Sequence, residues 1–273
     1  MACQGPYFSK LLLNAIYFGS SKFSPRSELK LTGKQFRQRV RELLGGALDR
    51  TEITTIQAML VMTNSLFALG DERSAAWVYA GIAFRMIVDL GLHIDGSINN
   101  QRLTEEDLEI RRRVFWGAFG KISLSLCLSV SLVPQVFTDV SEVVDKIQSL
   151  YQGRPVSLQE ADTRVPILFQ DRYEELEHWI PFAYSEAQRY PGSPAYSVST
   201  FTELCKLSVI MNAILNNVYG VKSAKRPPER LAEDLEAMHT DLEKWQAALP
   251  QLLAFDPSVI GAPVPPPHVL SLQ

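Results

Sequence analysis

The stretch WVYAGIAFRMIVDLGLH, residues 77–93, decides the fold class of this chain. Its apolar side chains recur with the 3.6-residue period of an α-helix, and they occupy more than one face of that helix. This pattern is typical of a helix surrounded by other helices. It predicts a helix over residues 73–90 at the centre of a bundle, ending at Gly91, because glycine often follows the last residue of a helix.

The same helical period recurs through most of the 273 residues. Thr51 and Thr104 are placed to cap helices, and the acidic residues after Thr104 favour a helix N-terminus. From Pro250 onward proline is dense, which predicts a polyproline-type linker over residues 250–273 in place of a packed element. We therefore predict an all-α, multi-helix domain over residues 1–249. Its further helices are expected over residues 7–20, 32–48, 198–219 and 228–249.

Charge and cysteine content exclude several classes of protein. Lys and Arg number 27 against 30 Asp and Glu, a formal net charge of −3, whereas a free-standing nucleic-acid-binding domain is usually strongly basic. The three cysteines are far apart and match neither a disulfide framework nor a structural zinc site. The longest apolar stretch is well under the ~20 residues that span a bilayer. We therefore expect a protein of a reducing intracellular compartment without a membrane segment.

One stretch departs from the helical period. Residues 122–133, ISLSLCLSVSLV, alternate apolar and small polar side chains with the period of a β-strand, but an unpaired strand is not stable. One interpretation is a local strand or loop pressed against the helices. The other is that residues 120–142 are translated from a retained intron, because removing them joins Phe119 to Val143 in one amphipathic helix. We expect an irregular insert near residues 120–142.

The sequence offers few candidates for catalysis. Two E-x-x-H segments, Glu175 to His178 and Glu236 to His239, have the spacing with which one helix face presents ligands in di-iron bundles. Exposed helix charges are the preferred explanation, and a metal site is the rival one. Cys205 lies in a predicted helix without a nearby histidine, so it is not expected to be a nucleophile. We assign no catalytic, cofactor-binding or metal-binding residue.

A set of residues stands in a recognisable order along the chain: Trp77, Arg85, Gly91, His93, Arg112, Arg113, Trp116, Asp145, Gly153, Arg154, Pro155 and Asp162. This order resembles the fungal-specific transcription factor domain, the regulatory middle homology region of Zn2Cys6 zinc-cluster transcription factors. The overall pattern is closest to regulators of the nitrate-assimilation type. The resemblance implies a structural role for these family-motif residues.

The resemblance also implies a function. It indicates the all-α regulatory domain of a nuclear transcription factor, which takes part in DNA-templated transcription and is not an enzyme. In such proteins a zinc-cluster module holds zinc and contacts DNA, and we expect that module to be absent from this chain. The expected partners are transcriptional co-regulators or a small-molecule effector, and no membrane. Two other classes stay open: a metal-dependent helical-bundle enzyme, and a helical interaction scaffold without a transcriptional role.

The chain departs from the family pattern at two further points. Residues 120–142 separate Trp116 from Asp145, which lie only a few residues apart in the family, and the chain stops where the family begins another core helix. We therefore expect a truncated product that is incomplete at the C-terminus. The motif order also predicts at least one Arg–carboxylate contact that ties the fifth helix to the turn at Gly153. The residues expected to form it are Arg112, Arg113, Asp145 and Arg154.

Overall fold

The computed structural model describes residues 5–23, 27–67, 73–94, 103–131, 164–180, 192–218, 226–256, 258 and 264–272. The helices within these residues are α1 (Lys10–Ser21), α2 (Ser27–Ala47), α3 (Ile53–Phe67), α4 (Arg73–Asp89), α5 (Glu105–Ser131), α6 (Ser197–Val218), α7 (Pro228–Ala247) and α8 (Pro267–Leu270). Two short strands, which the sequence did not predict, pair antiparallel: β1 (His178–Trp179) and β2 (Ser193–Pro194). The predicted all-α fold class is confirmed.

The main core forms around α3. Helix α1 packs against both α2 and α3, and α4 packs against α3. Ala76, Ala80 and Ala83 of α4 are buried, and their small side chains allow close approach of the helix backbones. Large α3 side chains such as Met59 and Met62 are fully buried in the same core. Each side chain of that size stabilises the fold by about 1.5–3 kcal/mol when it is fully buried.

Helix α4 is less central than its sequence predicts. Its core face is buried, but Val78 and Val88 are 51% and 49% exposed and Trp77 is 36% exposed. Among the described helices α4 packs mainly on α3, so its second apolar face stays in partial contact with water. The periodicity of the sequence shows how many faces of α4 are apolar. It does not show how many of those faces pack against another helix.

The end of α4 at Gly91 follows the sequence prediction. Gly91 has a φ of +63°, a left-handed conformation that is readily open to glycine. Its N–H donates to the carbonyl of Val88 at 3.0 Å, and the N–H of Leu92 donates to the carbonyl of Ile87 at 2.9 Å. These two bonds form a Schellman motif. Leu92 is buried in the main core, so the turn is also anchored by packing.

Helix α5 begins as predicted and continues further than predicted. The Asp107 N–H donates to Thr104 Oγ1 at 3.1 Å, and the Thr104 N–H donates to Asp107 Oδ2 at 3.1 Å, a reciprocal capping box. The helix then runs through residues 120–131, where an irregular insert was expected. A helix hydrogen-bonds within its own chain and its elongation is cheap once nucleated, whereas a strand needs a partner. Residues 132–142 lie outside the described residues.

The proline-rich C-terminal stretch packs in part, which corrects the linker expected there. Leu253, Val269 and Leu272 are buried with Leu204 of α6 in a second apolar cluster. Pro267 occupies the first turn of α8, where the missing N–H of proline costs nothing. Dense proline excluded long regular elements, but it did not exclude burial of the apolar residues near the prolines.

One described helix, α6, is long and apolar enough by length and composition to cross a membrane, and 41% of the relevant window is buried. One such helix is weak evidence for a membrane span, because the core helix of a globular bundle has the same composition. Helix α6 packs against α5 and α7. It also buries the polar residues Glu203, Ser208 and Asn212.

Candidate functional site

The family-motif arginine Arg113 ties α5 to the segment of residues 164–180. Its Nε donates to Glu109 Oε1 at 2.7 Å, one turn earlier on α5. Its Nη1 donates to Glu174 Oε1 at 2.9 Å, and its Nη2 donates to the carbonyl of Gln170 at 2.7 Å. The N–H of Gln170 in turn donates to Glu109 Oε1 at 3.0 Å. We call Glu109, Arg113, Gln170 and Glu174 the Arg113 network.

The Arg113 network is partly removed from water. The side chain of Glu109 is 11% exposed, that of Arg113 is 34% exposed and that of Glu174 is 44% exposed. Desolvation acts to lower the pKa of Arg113, but the hydrogen bonds and charges of Glu174 and Glu109 outweigh it and raise that pKa. The guanidinium is therefore held charged. Removing it would leave the Glu109 carboxylate poorly compensated in a mostly buried position.

Trp116 makes a second tie to the same segment one turn further along α5. Its Nε1–H donates to the carbonyl of Pro166 at 3.2 Å, and the residue is 2% exposed. Its ring meets Phe115 and Phe119 edge-on, with centroids 5.3 and 5.2 Å apart, an arrangement that aromatic rings favour. The indole thus fills the core and satisfies a backbone acceptor of the segment.

The turn at Gly91 lies close to the contacts of Arg113 and Trp116. Arg111 Nη2 donates to the carbonyl of Leu90 at 2.7 Å, so a cation caps the C-terminal end of α4. The N–H of Arg164 donates to the carbonyl of His93 at 3.1 Å. The end of α4, the middle of α5 and the segment of residues 164–180 therefore meet at one place, which we call the α5 junction.

The structure brings together some of the family-motif residues and leaves others apart. Gly91, His93, Arg113 and Trp116 lie at the junction, and Arg112 is beside it, with its Nη2 3.7 Å from Glu109 Oε2. Trp77 is partly exposed on α4, and Arg85 is exposed and bonds to the Gly81 carbonyl of its own helix. The remaining family-motif residues lie outside the described residues: Asp145, Gly153, Arg154, Pro155 and Asp162.

The predicted tie from the arginines to Asp145 and the Gly153 turn stays a prediction for the same reason. The observed carboxylate partners are Glu109 and Glu174, which the sequence analysis did not select. The contact of Glu109 with Arg113 could have been predicted, because Glu109 lies four residues before Arg113 on one helix face. The contact of Glu174 with Arg113 could not have been predicted, because Glu174 lies in a run of acidic residues with the pattern of a solvent-exposed segment.

The two E-x-x-H segments do not form one site. Glu175 Oε2 accepts the N–H groups of Val198 and Ser199, both at 3.0 Å, and so caps the N-terminus of α6 from outside the helix. His239 on α7 pairs instead with Glu243, at 3.3 Å from Nε2 to Oε1. In the described part of the chain, no group of three or more His, Cys, Asp or Glu side chains is arranged to hold a metal ion.

In the described part of the chain two clefts adjoin α5, and Arg113 and Gly117 line both. One cleft, of about 400 Å³, lies between α5, the segment of residues 164–180 and the N-terminus of α6. The other, also about 400 Å³, lies between α1, α3 and α5. The second cleft is lined mostly by aliphatic side chains.

Comparison with known proteins shows that the chain is similar to fungal regulators of transcription. Residues 5–120 match the model of the fungal specific transcription factor domain. An uncharacterized transcriptional regulatory protein of Schizosaccharomyces pombe is 28% identical over 92% of this chain and 38% of its own length. The nitrogen assimilation transcription factors nirA of Emericella nidulans and nit-4 of Neurospora crassa are 26% and 28% identical, each over 90% of this chain. The chain covers 26% and 21% of their lengths.

These matches confirm the resemblance that the motifs indicated: residues 5–120 match the fungal specific transcription factor domain, and the similar proteins are named transcription factors or transcriptional regulatory proteins. The family match ends at residue 120, where the predicted insert begins. The chain spans between about a fifth and two fifths of the length of these relatives. No solved structure matches the chain.

Proposed function

We propose that this chain acts in the nucleus as the regulatory part of a fungal transcription regulator, where it controls transcription through contacts with other molecules and not through catalysis. The observation that carries the proposal is the junction on α5. Family-motif residues on it, Arg113 and Trp116, join separate elements by an ion-pair network and an indole hydrogen bond. Groups engaged in this way hold elements in position, which is what a domain that transmits a signal needs.

DNA contact is proposed to belong to another part of the protein. The chain has a formal net charge of −3, whereas proteins that bind the phosphate backbone rely on clustered Lys and Arg. The relatives are much longer than the matched region, which leaves room in them for a separate DNA-binding module. A zinc-cluster module of the kind that the resemblance implies for full-length relatives would supply both zinc and base-reading contacts.

The rival enzyme class receives less support from the chemistry of the described residues. Glu175 is committed to backbone N–H groups, and His239 is committed to Glu243. Burial raises the pKa of the Cys205 thiol, which disfavours the thiolate needed for a nucleophile. The relatives are named transcription factors and transcriptional regulatory proteins.

The test fuses the whole chain to the DNA-binding domain of an unrelated protein and places the matching site upstream of a reporter gene in a fungal host. We expect reporter expression to change relative to the DNA-binding domain alone, and we expect the chain without the fusion to show no sequence-selective duplex binding by fluorescence anisotropy. An unchanged reporter, with the fusion present in the nucleus and bound at its site, would contradict the proposal.

A further inference from the structure

The cleft between α1, α3 and α5 has the size and lining of a small-molecule site. Its volume of about 400 Å³ falls within the range of roughly 300–1,000 Å³ that is common for such sites. Leu60 and Val114 form buried wall positions, at 8% and 7% exposure, and Ile16 stands at the rim at 46% exposure. An apolar molecule that enters the cleft therefore meets aliphatic side chains from three helices.

One polar group in this cleft lacks a partner. Gln57 lines the cleft, and its Oε1 atom is buried without a hydrogen-bond partner among the described groups. A buried acceptor left unsatisfied costs about 1–3 kcal/mol. A ligand N–H or O–H that reached this oxygen would recover much of that cost.

The charge at the cleft wall is already neutralised. Arg113 is the charged lining residue, and its Nε, Nη1 and Nη2 atoms donate to Glu109, Glu174 and Gln170. A carboxylate ligand would be repelled by the carboxylates of Glu109 and Glu174, which already pair with the guanidinium. The cleft therefore favours a neutral ligand over an anion.

A glycine keeps the cleft open. Gly117 lies inside α5, and a Cβ atom added there would meet no atom within 4 Å. Glycine in a helix interior costs about 0.5–1 kcal/mol relative to alanine. Close packing does not require the glycine at this position, so its effect on the described structure is to leave the space beside α5 empty.

We propose that this cleft binds a small neutral molecule with an apolar body and one N–H or O–H donor, and that the donor hydrogen-bonds to Gln57. The proposal extends the proposed function by naming a ligand class for the regulatory domain. Its test does not measure transcription, so its failure and a failure of the regulatory role give different results.

The probe is N-phenyl-1-naphthylamine, a neutral aromatic molecule with one N–H whose fluorescence rises in apolar surroundings. We expect saturable binding to the full chain at one site. Gly117→Leu should weaken this binding at least tenfold, because its side chain occupies the cleft. Gly45→Leu is the matched control, since Gly45 is also a helical glycine with nothing within 4 Å of an added Cβ, and it should bind as the wild type does.

The donor contact is tested separately with Gln57→Leu. We expect this variant to bind N-phenyl-1-naphthylamine about two- to tenfold more weakly, the range that one net hydrogen bond supports. It should bind 1-phenylnaphthalene, which has no N–H, at least as well as the wild type. If the Gly117→Leu chain does not fold, Gly117→Ala replaces it, with an expected rise in thermal midpoint and a smaller loss of affinity. Equal affinities of the wild type and the folded Gly117 variant, or no saturable binding, would overturn the proposal.

Discussion

Replacing Arg113 by alanine should destabilise the chain by about 3 kcal/mol. The contact with Glu109 is mostly buried, so the cost of breaking it is close to the range of about 3–5 kcal/mol for a buried pair. The contact with Glu174 is half exposed and is worth less than about 1 kcal/mol. The free carbonyl of Gln170 adds a lost hydrogen bond, and partial compensation by Arg112, whose Nη2 is 3.7 Å from Glu109 Oε2, reduces the total.

The assay is urea unfolding of the full chain, followed by tryptophan fluorescence. Arg230→Ala is the matched control, because Arg230 is 76% exposed and pairs with Glu233 at 3.9 Å, and its loss should cost less than about 0.5 kcal/mol. Double-mutant cycles should give a larger coupling energy between Arg113 and Glu109 than between Arg113 and Glu174. Equal destabilisation by Arg113→Ala and Arg230→Ala would refute the reasoning.

The remaining predictions concern four other places in the fold. Trp116→Phe should cost about 0.5–1.5 kcal/mol in urea unfolding, because it removes the hydrogen bond from the indole to the Pro166 carbonyl; an unchanged midpoint would contradict this. Gly91→Ala should destabilise by about 1–2 kcal/mol through its φ of +63°, although the added Cβ meets no atom, whereas Gly45→Ala should stabilise by about 0.5–1 kcal/mol; thermal midpoints that move in the same direction would exclude this explanation. Burial lowers the pKa of Lys22 to about 8, so between pH 8 and 10.5 the unfolded chain binds more protons at this residue and the free energy of unfolding should rise with pH. Because Lys22 is partly exposed the gain should stay below about 1 kcal/mol, and Lys22→Met should lack it when both proteins are unfolded in urea at pH 7.5 and 9.5. Deleting residues 120–142 should raise soluble yield and thermal midpoint, because the deletion joins Phe119 to Val143 in one amphipathic helix. A lower midpoint would show that the segment, whose residues 120–131 continue α5, belongs to the fold.

Local physics explains why much of the fold was predictable. Gly91 ends α4 through two hydrogen bonds made within five residues, and Thr104 begins α5 through a bond to a residue three positions away. Such contacts are set by neighbouring residue types, so their signal is present in the sequence. At most of the described helix ends, the observed bound differs from the predicted one by only a few residues.

The residues that contact Arg113 from distant parts of the chain could not be predicted from local sequence patterns. Glu174 meets Arg113 across 61 residues of sequence, and nothing in its local pattern separates it from the solvated acidic residues beside it. The packing of Val269 and Leu272 was also not predictable from the local sequence, because their partners in the second apolar cluster, Leu204 and Leu253, are distant along the chain. The period of residues 122–133 misled for another reason: a preformed helix can extend through a sequence with weak helical preference.

The central claim is that the α5 junction holds the regulatory domain in its working arrangement. The most direct measurement compares the tethered reporter output of Arg113→Ala and Arg230→Ala fusions at equal nuclear protein levels, at a temperature where both chains stay folded. We expect Arg230→Ala to regulate the reporter as the wild type does and Arg113→Ala to lose most of that regulation. Full regulation by the Arg113→Ala fusion would contradict the claim.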